Sequence, residues 1–498
     1  MASGNFSNPT DQILSENNSS SYRTAFIVLT SLFFMWGFIT CMNDILIPFL
    51  KKMFELSRAQ SMLVQMSFFG AYFIGSLIYF LVSYFAGDPI SRIGYKKGLI
   101  IGLLISAVAC LAFYPAAQLK SYNLFLAALF VLGLGFTLLQ IAANPYIAIL
   151  GSPSTASSRL NLSQGFNSFG TTIAPIIGGY FVFHFFAEWG QPLLDRAGSI
   201  ITTDSGKTMS ATAVQLPYLI FAGVFLSLAV LIQLTKLPVF ASSESTEKGA
   251  GALKHRHLVL GMIAIFMYVG GEVSIGSVMI NYMNEMAGFP EVVAKNYLAF
   301  YWGGAMIGRF IGAYTLGQER PFFNKIISLV LISFSGFLLI WFFVYLESDR
   351  AFPIQNVLPF LGLIILNIVG FLIGKSMPAR TLMVFSLSII ALLIASTLMS
   401  GMPAIWCVIG IGLFNSVMWS NIFTLAIKDL GKYTSQGSSL LVMFVLGGAV
   451  LPFIQGKVAD FAGAYHFSFF VPAIAYVYLA YYGWKGHLPK NSLNLKSK

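Results

Sequence analysis

Asn43 and Asp44 stand inside the stretch TCMNDILIPFL, residues 40–50, which closes an apolar run beginning near Phe26. An aspartate at the centre of a membrane helix costs about 2.5–3.5 kcal/mol on insertion scales. A chain keeps such a group where it faces a cavity, a partner or a solute path. A carboxylate so placed can take up a proton or hold a cation. A second deep carboxylate, Glu272, lies in YVGGEVSIGS.

Amides and hydroxyls recur at helical spacing around these acids. Residues i, i+3, i+4 and i+7 share one helix face. Thr40, Asn43 and Asp44 form one such face, Thr137, Gln140 and Asn144 a second. Gln164, Asn167, Ser168 and Thr171 form a third, within RLNLSQGFNSFGTT. Converging stripes of this kind would bind a polyol, whose hydroxyls take paired hydrogen bonds from Asn, Gln and Asp. The alternative is that the amides hold helices together, at about 0.6 kcal/mol each. Asn415, Trp419 and Asn421 mark a further polar helix, where the Trp419 ring could pack on a sugar. Tyr268 and Trp302 could do the same, although aromatics more often fill a core or an interfacial belt.

Other chemistry is absent from the pattern. No nucleophile–base pair and no phosphate loop is recognisable, so the sequence reads neither as an enzyme nor as an ATP-driven pump. Gly133-Leu-Gly135 sits in a helix with no preceding strand and is not a nucleotide loop. His255 and His257, in KHRH, add charge to a loop, and no metal site is assigned. Cys41, Cys110 and Cys407 lie in apolar runs as buried small hydrophobes. Arg309, near a helix end, is expected to snorkel or to pair with a helix C-terminus.

The elements that must position these residues are membrane helices. The chain has 498 residues, 57% hydrophobic and 9% charged. So apolar a chain cannot hide its surface in one water-soluble core. Fourteen runs are long enough to span, near 24–50, 59–85, 98–117, 122–150, 159–187, 213–235, 257–284, 292–317, 324–346, 355–375, 380–400, 403–429, 435–460 and 466–484. Of the 29 Lys and Arg, 20 fall on the side that holds both termini and 9 on the other, which makes the terminal side cytoplasmic. The net charge of +11 therefore belongs to short loops, and no dense basic tract points to nucleic acid. Residues 1–23 and 485–498 read as cytoplasmic tails, the first disordered, and residues 236–256 as a flexible cytoplasmic linker.

Internal repeats divide the chain at that linker. A shift of 277 carries Gly133, Gly135, Asn144, Gly170, Pro175 and Gly179 onto Gly410, Gly412, Asn421, Gly447, Pro452 and Gly456. A shift of 233 carries Gly70 and Gly75 onto Gly303 and Gly308, and 277 minus 233 leaves 44 residues gained in the second half. The expected fold is all-α: a six-helix half over 24–235, then a half over 257–484 carrying two inserted helices near 324–375. Two six-helix halves about a central axis is the plan of the major facilitator superfamily. GDPISRIGYKKG, residues 87–98, has the pattern of that superfamily's cytoplasmic gating loop, with Gly87, Asp88, Arg92, Gly94 and Lys96 as its marks. Asp88 is expected to pair with Arg92 or with a neighbouring helix end.

Five ordered motifs narrow the resemblance: NDILIP, AANPYIAILG, RLNLSQGFNSFG, NYLAFYWGGAMIGRF, and IFTLAIKDLG followed by GSS. Together they resemble the fucose permease and glucose/galactose transporter family, with FxxMWGFITCMNDILIP and LLQIAANPY closer to the glucose/galactose branch. The resemblance implies uptake of a monosaccharide with Na+ or H+, no other cofactor, and a cell inner membrane. It maps the family's coupling aspartate to Asp44, its sugar-binding amides to Gln164 and Asn167, and an aromatic to Trp419. A family glutamate is replaced by Gln140, which cannot titrate, while Glu272 stands where fucose-type members carry an amide.

The sequence thus predicts a hexose symporter, acting as a monomer. Asp44 and Glu272 are the coupling-ion candidates. Thr40, Asn43, Gln140, Asn144, Gln164, Asn167, Asn415 and Trp419 are the sugar-binding candidates. Alternatives are a uniporter or exporter of another polar solute, or a transporter-like sugar sensor.

Overall fold

The computed structural model describes residues 19–54, 58–180, 212–238, 248–317, 320–348 and 350–489. Those residues are helical throughout, with short loops. In chain order the long helices are α1 (Ser19–Phe54), α2 (Arg58–Ala86), α3 (Tyr95–Gln118), α4 (Tyr122–Ile149), α5 (Ala156–Tyr180) and α6 (Thr212–Leu234). After residue 250 come α7 (Arg256–Ala287), α8 (Glu291–Thr315), α9 (Phe322–Glu347), α10 (Pro359–Gly374) and α11 (Pro378–Leu398). Two broken crossings follow, α12 (Gly401–Asn415) with α13 (Met418–Ala426), and α14 (Thr434–Met443) with α15 (Gly447–Ala462). The last long helix is α16 (Phe470–Tyr481).

Twelve stretches among the described residues are long and apolar enough to cross a bilayer. The sequence leads one to expect fourteen. The two helices not among the twelve, α5 and α8, are 25 residues each. Both carry polar groups inside the helix, Asn161, Gln164 and Asn167 in α5 and Arg309 in α8, besides Arg159 and Lys295 near their first turns.

The packing explains why small residues recur at fixed shifts. In the first set of helices α1 runs along α5, α2 lies on α4, and α3 sits between α4 and α6. In the later set α7 runs along α15, α8 lies on α12, and α11 sits between α12 and α16. A methyl at Gly170 would overlap the Phe34 carbonyl of α1, and one at Gly447 would overlap the Phe266 carbonyl of α7. A methyl at Gly75 would press on Thr137 of α4, and one at Gly308 on Ser416. Each glycine lets two backbones approach, and each pair is the one the repeat shifts link. Helix α9 packs on α8, and α10 on α11 and α12.

The two sets meet along α5 with α8 and along α2 with α14. The loops after α2, α4, α8, α10 and α13 gather on one face, here named the Asp88 face. Gly317 donates its N–H to the Ser376 carbonyl, and a methyl at Gly317 would overlap Ser154. The segment 236–256, expected to be flexible, is ordered over 248–255. Gly251–Lys254 forms a 3-10 turn against Tyr433, and the Gly249 N–H bonds the Tyr84 carbonyl.

Candidate functional site

Glu272 sits near the middle of the 32-residue helix α7 and is partly buried. Its carboxyl faces the positive charge of Arg309 on α8 and the hydroxyl of Tyr268, one turn earlier on its own helix. Behind it runs a chain of polar groups. The Tyr476 hydroxyl donates to Asn415 Oδ1 at 2.7 Å, Asn415 Nδ2 donates to the Tyr301 hydroxyl at 3.0 Å, and that hydroxyl donates to the Glu272 backbone carbonyl at 2.9 Å. All three side chains are buried. Both ends of the Asn415 amide are therefore engaged within the protein.

Arg309 is one bridge between the two sets of helices. Its Nε donates to the Ser416 carbonyl at 3.2 Å, at the C-cap of α12, where the helix breaks before Met418. A broken helix leaves carbonyls without amide partners, and in hydrocarbon some protein group must take them. Pairing with a helix C-terminus, one of the two expectations for Arg309, is what occurs. A second guanidinium nitrogen donates to the Ser168 hydroxyl of α5, across the seam. Ser168 belongs to the amide stripe read from the sequence.

The first set holds the other expected groups. The Gln140 side chain is buried and hydrogen-bonds the Tyr72 hydroxyl, which Trp36 also approaches. Asn144 is fully buried; its Nδ2 donates to the Gln140 carbonyl at 3.1 Å, while its Oδ1 meets no partner among the described residues. Asn167 Nδ2 donates to the Phe33 carbonyl of α1 at 2.9 Å, and Thr40 to the Trp36 carbonyl at 2.8 Å. Gln164 is buried, and none of the described hydrogen bonds uses its amide. Trp419 stacks on Phe423 with centroids 6.1 Å apart, and its buried Nε1 finds no acceptor among the described residues. Asn43 and Asp44 lie in the helical backbone of α1, but their side chains fall outside the described residues.

The Asp88 loop forms a latch. Gly87 and Gly94 take positive φ of 90° and 82°, which glycine adopts without a Cβ clash. Between them Asp88 caps the short helix Pro89–Ile93 by accepting from the Ser91 N–H at 2.9 Å. The same oxygen accepts from the Tyr79 hydroxyl at 3.0 Å and from the Ser435 hydroxyl of α14 at 2.7 Å. Arg92 is exposed, and Asp88 instead spends these bonds on its own turn and on α14. Lys96 ties down the end of α6 through the Gln233 and Thr235 carbonyls, at 2.8 and 3.0 Å. Beside Ser435, the buried Gln436 amide joins three segments. Its Nε2 donates to Ser83 at 2.9 Å and to the Gly249 carbonyl at 3.0 Å, and its Oε1 accepts from the Ala252 N–H at 2.9 Å.

Across the same face Ser157 donates to Asn421, and Ser158 to the Ala313 carbonyl. The described hydrogen bonds between the two sets run from this face only as far as the Thr172–Met306 contact at 3.8 Å. A cavity of about 670 Å³ opens at the Asp88 face beneath the latch, between Ser91, Lys428 and Ser435, away from Glu272. Sequence reasoning missed Tyr301, Tyr476, Ser435 and Gln436. The serine had a signal: the shift of 277 carries Ser158 onto Ser435, and both hydroxyls bond across the seam.

Packed helices with a closed face and a charged site at the seam between two repeated sets define a multi-pass membrane transporter. The chain belongs to the major facilitator superfamily, whose sequence profile matches residues 24–354. It is 41% identical to a glucose/galactose transporter of Brucella abortus biovar 1 (strain 9-941), over 96% of this chain and 98% of the relative. It is 30% identical to the L-fucose-proton symporter of Escherichia coli (strain K12), over 92% of each chain. Among solved structures it resembles the major facilitator transporter FucP in the outward conformation, with a TM-score of 0.71 and 28% identity over 94% of this chain and 99% of the other. It thus stands with the glucose/galactose and fucose transporters that its motifs resemble.

Proposed function

We propose that this chain is a cation-coupled symporter that accumulates a hexose, glucose or galactose, by alternating access. The observation that carries the reading is the Glu272–Arg309–Ser168 connection, in which an ionisable acid on α7 acts through a guanidinium on a hydroxyl of the opposite set. Taking up a proton or Na+ at Glu272 would release Arg309 from its counter-charge. That would alter a charged bridge across the seam and so bias the two conformations differently. Asp44, on α1, is the second coupling acid of this proposal.

The sugar site lies between the sets. Thr40, Asn43, Gln140, Asn144, Gln164 and Asn167 supply polar groups from the first, and Trp419 a ring face from the second. The open Asn144 Oδ1 and Trp419 Nε1 support this placement. Asn415 serves the site by holding Tyr301 and Tyr476 around Glu272.

The proposal includes a topology. The Asp88 face is cytoplasmic, both termini lie there, and the bonds that close it belong to an outward-facing state. Fourteen crossings result, with α5 and α8 added to the twelve apolar stretches. Helices α9 and α10 are an insertion between the second and third repeat helices, a reading that the matched packing of α3 and α11 supports. The halves are 24–235 and 257–484, in a bacterial inner membrane and a monomer.

The test is sugar-induced current in proteoliposomes, with glucose, galactose and fucose, with and without sodium, at two pH values. A glucose or galactose current tied to either ion is expected. Sugar flux indifferent to both ions would replace symport by uniport.

A further inference from the structure

The break between α12 and α13 falls deep in the crossing. Leu413 stands 12 residues after Gly401, the first residue of α12, or about 18 Å along the helix. In an unbroken helix the Leu413 carbonyl would accept the Val417 N–H. None of the described backbone bonds joins the two, and hydrocarbon offers no replacement. Two side chains take the carbonyl instead. The Ser416 hydroxyl donates at 2.7 Å, and Asn367 Nδ2 donates at 3.0 Å from α10. We propose that Asn367 is a positioning residue for transport: it fixes the broken turn, so that Asn415, Ser416 and Trp419 keep their places at the seam.

Asn367 is out of character with its helix. It is the one polar side chain of the 16-residue α10, PFLGLIILNIVGFLIG. Ile365, Leu366, Val369 and Ile373 of that helix are exposed, whereas Asn367 is fully buried. Its Oδ1 meets no partner among the described residues. A buried amide with an unanswered oxygen is costly, and a leucine of the same branched shape would avoid that cost. Filling the core therefore does not account for this residue. What a leucine cannot do is answer the Leu413 carbonyl.

Helix α10 follows α12 in parallel as far as the break. Phe360 lies beside Trp406, with ring centroids 6.2 Å apart. A methyl on Gly410 would meet Leu363 at 2.9 Å, and one on Gly370 would meet Phe414 at 3.5 Å. Arg309 holds the other lip of the same break through the Ser416 carbonyl. Between the two held carbonyls stands Asn415, which orders Tyr301 and Tyr476 around Glu272. Trp419 follows on α13. The two helices that the proposed topology reads as an insertion thus gain a part in the site. The effect on sugar rests on the proposed function, whereas the brace itself does not.

The experiment compares purified full-length Asn367→Leu with Leu363→Ala, which cuts the packing on Gly410 without touching the break. Leu363→Ala should lower the melting temperature, and Asn367→Leu should melt close to the wild type. Hydrogen exchange, read by mass spectrometry on peptides that cover Leu413 to Ser420, should quicken several-fold in Asn367→Leu alone. In sugar counterflow Asn367→Leu should raise KM several-fold with the maximal rate retained, and Leu363→Ala should change neither. Unchanged hydrogen exchange at the break in Asn367→Leu would overturn the proposal. So would faster exchange and a lower melting temperature in both variants, which would mark a packing role. A KM that stays at the value of a sugar-carrying wild type would overturn it as well. A wild type that carries no sugar would refute the proposed function instead, and hydrogen exchange would then judge the brace by itself.

Discussion

The Ser435 hydroxyl donates to the Asp88 carboxylate at 2.7 Å, joining residues 347 positions apart across the seam between the two sets of helices. The same carboxylate oxygen caps its own short helix and takes the Tyr79 hydroxyl. One charge thus holds a turn, a neighbouring helix and the opposite half.

Weakening that latch should open the Asp88 face. Hydrogen bonds to a charged group contribute about 1.5–3 kcal/mol, so Asp88→Asn should shift the equilibrium between states by about tenfold or more. Ser435→Ala removes one neutral donor and should shift it less. Spin labels at Ser91 and Lys432 report the separation directly. A distance distribution unchanged in Asp88→Asn would mean the latch carries no conformational energy.

Gln436 predicts a different phenotype. Its amide clips the ordered end of the linker to α2 and α14 through three hydrogen bonds. Gln436→Leu keeps most of the volume and removes all three. Cleavage by trypsin after Lys248 and Lys254 should quicken several-fold in inside-out vesicles, while α-helical content stays unchanged. An unaltered digestion rate would show that packing on Tyr433 and the Gly249–Tyr84 backbone bond suffice to hold the segment.

These residues also mark what could be read in advance. Amides and acids in hydrocarbon stand out, so the stripes on α1, α4 and α5 and the acid at Glu272 were visible. So were the glycines at which helices cross, because their repeat survives as Gly170 with Gly447 and Gly75 with Gly308. Partners were not visible where the partner is backbone: nothing in a sequence says that Asn167 will take the Phe33 carbonyl, and for Arg309 the sequence suggested a helix C-terminus without saying which. Tyrosines were hidden for another reason. In a chain with 22 of them, a hydroxyl that orders an acid looks like one that fills a core.

Asn415 should prove structural before it proves catalytic for transport. Asn415→Leu leaves the buried Tyr476 hydroxyl without its acceptor, at about 1–3 kcal/mol, and takes a donor from the Tyr301 hydroxyl, which keeps the Glu272 carbonyl. The melting temperature in detergent should fall clearly, and by more than in Tyr476→Phe, which removes one hydroxyl and its need together. If Asn415→Leu melts with the wild type and loses only sugar affinity, the residue contacts sugar instead.

The coupling assignment is tested most sharply by removing charges in pairs. Glu272→Gln removes the carboxylate charge that faces the Arg309 guanidinium and leaves that cation uncompensated in a low-dielectric seam, which is destabilising. Arg309→Gln does the converse to Glu272. Each single variant should therefore lose yield of folded protein as well as ion-driven accumulation. The double variant Glu272→Gln, Arg309→Gln removes both charges, so folding and sugar exchange should return while accumulation against a gradient does not. Asp44→Asn should lose accumulation with exchange retained and without the loss of yield if it couples independently of this pair. A double variant that concentrates sugar as the wild type does would strip Glu272 of its coupling role and leave Asp44 to carry it.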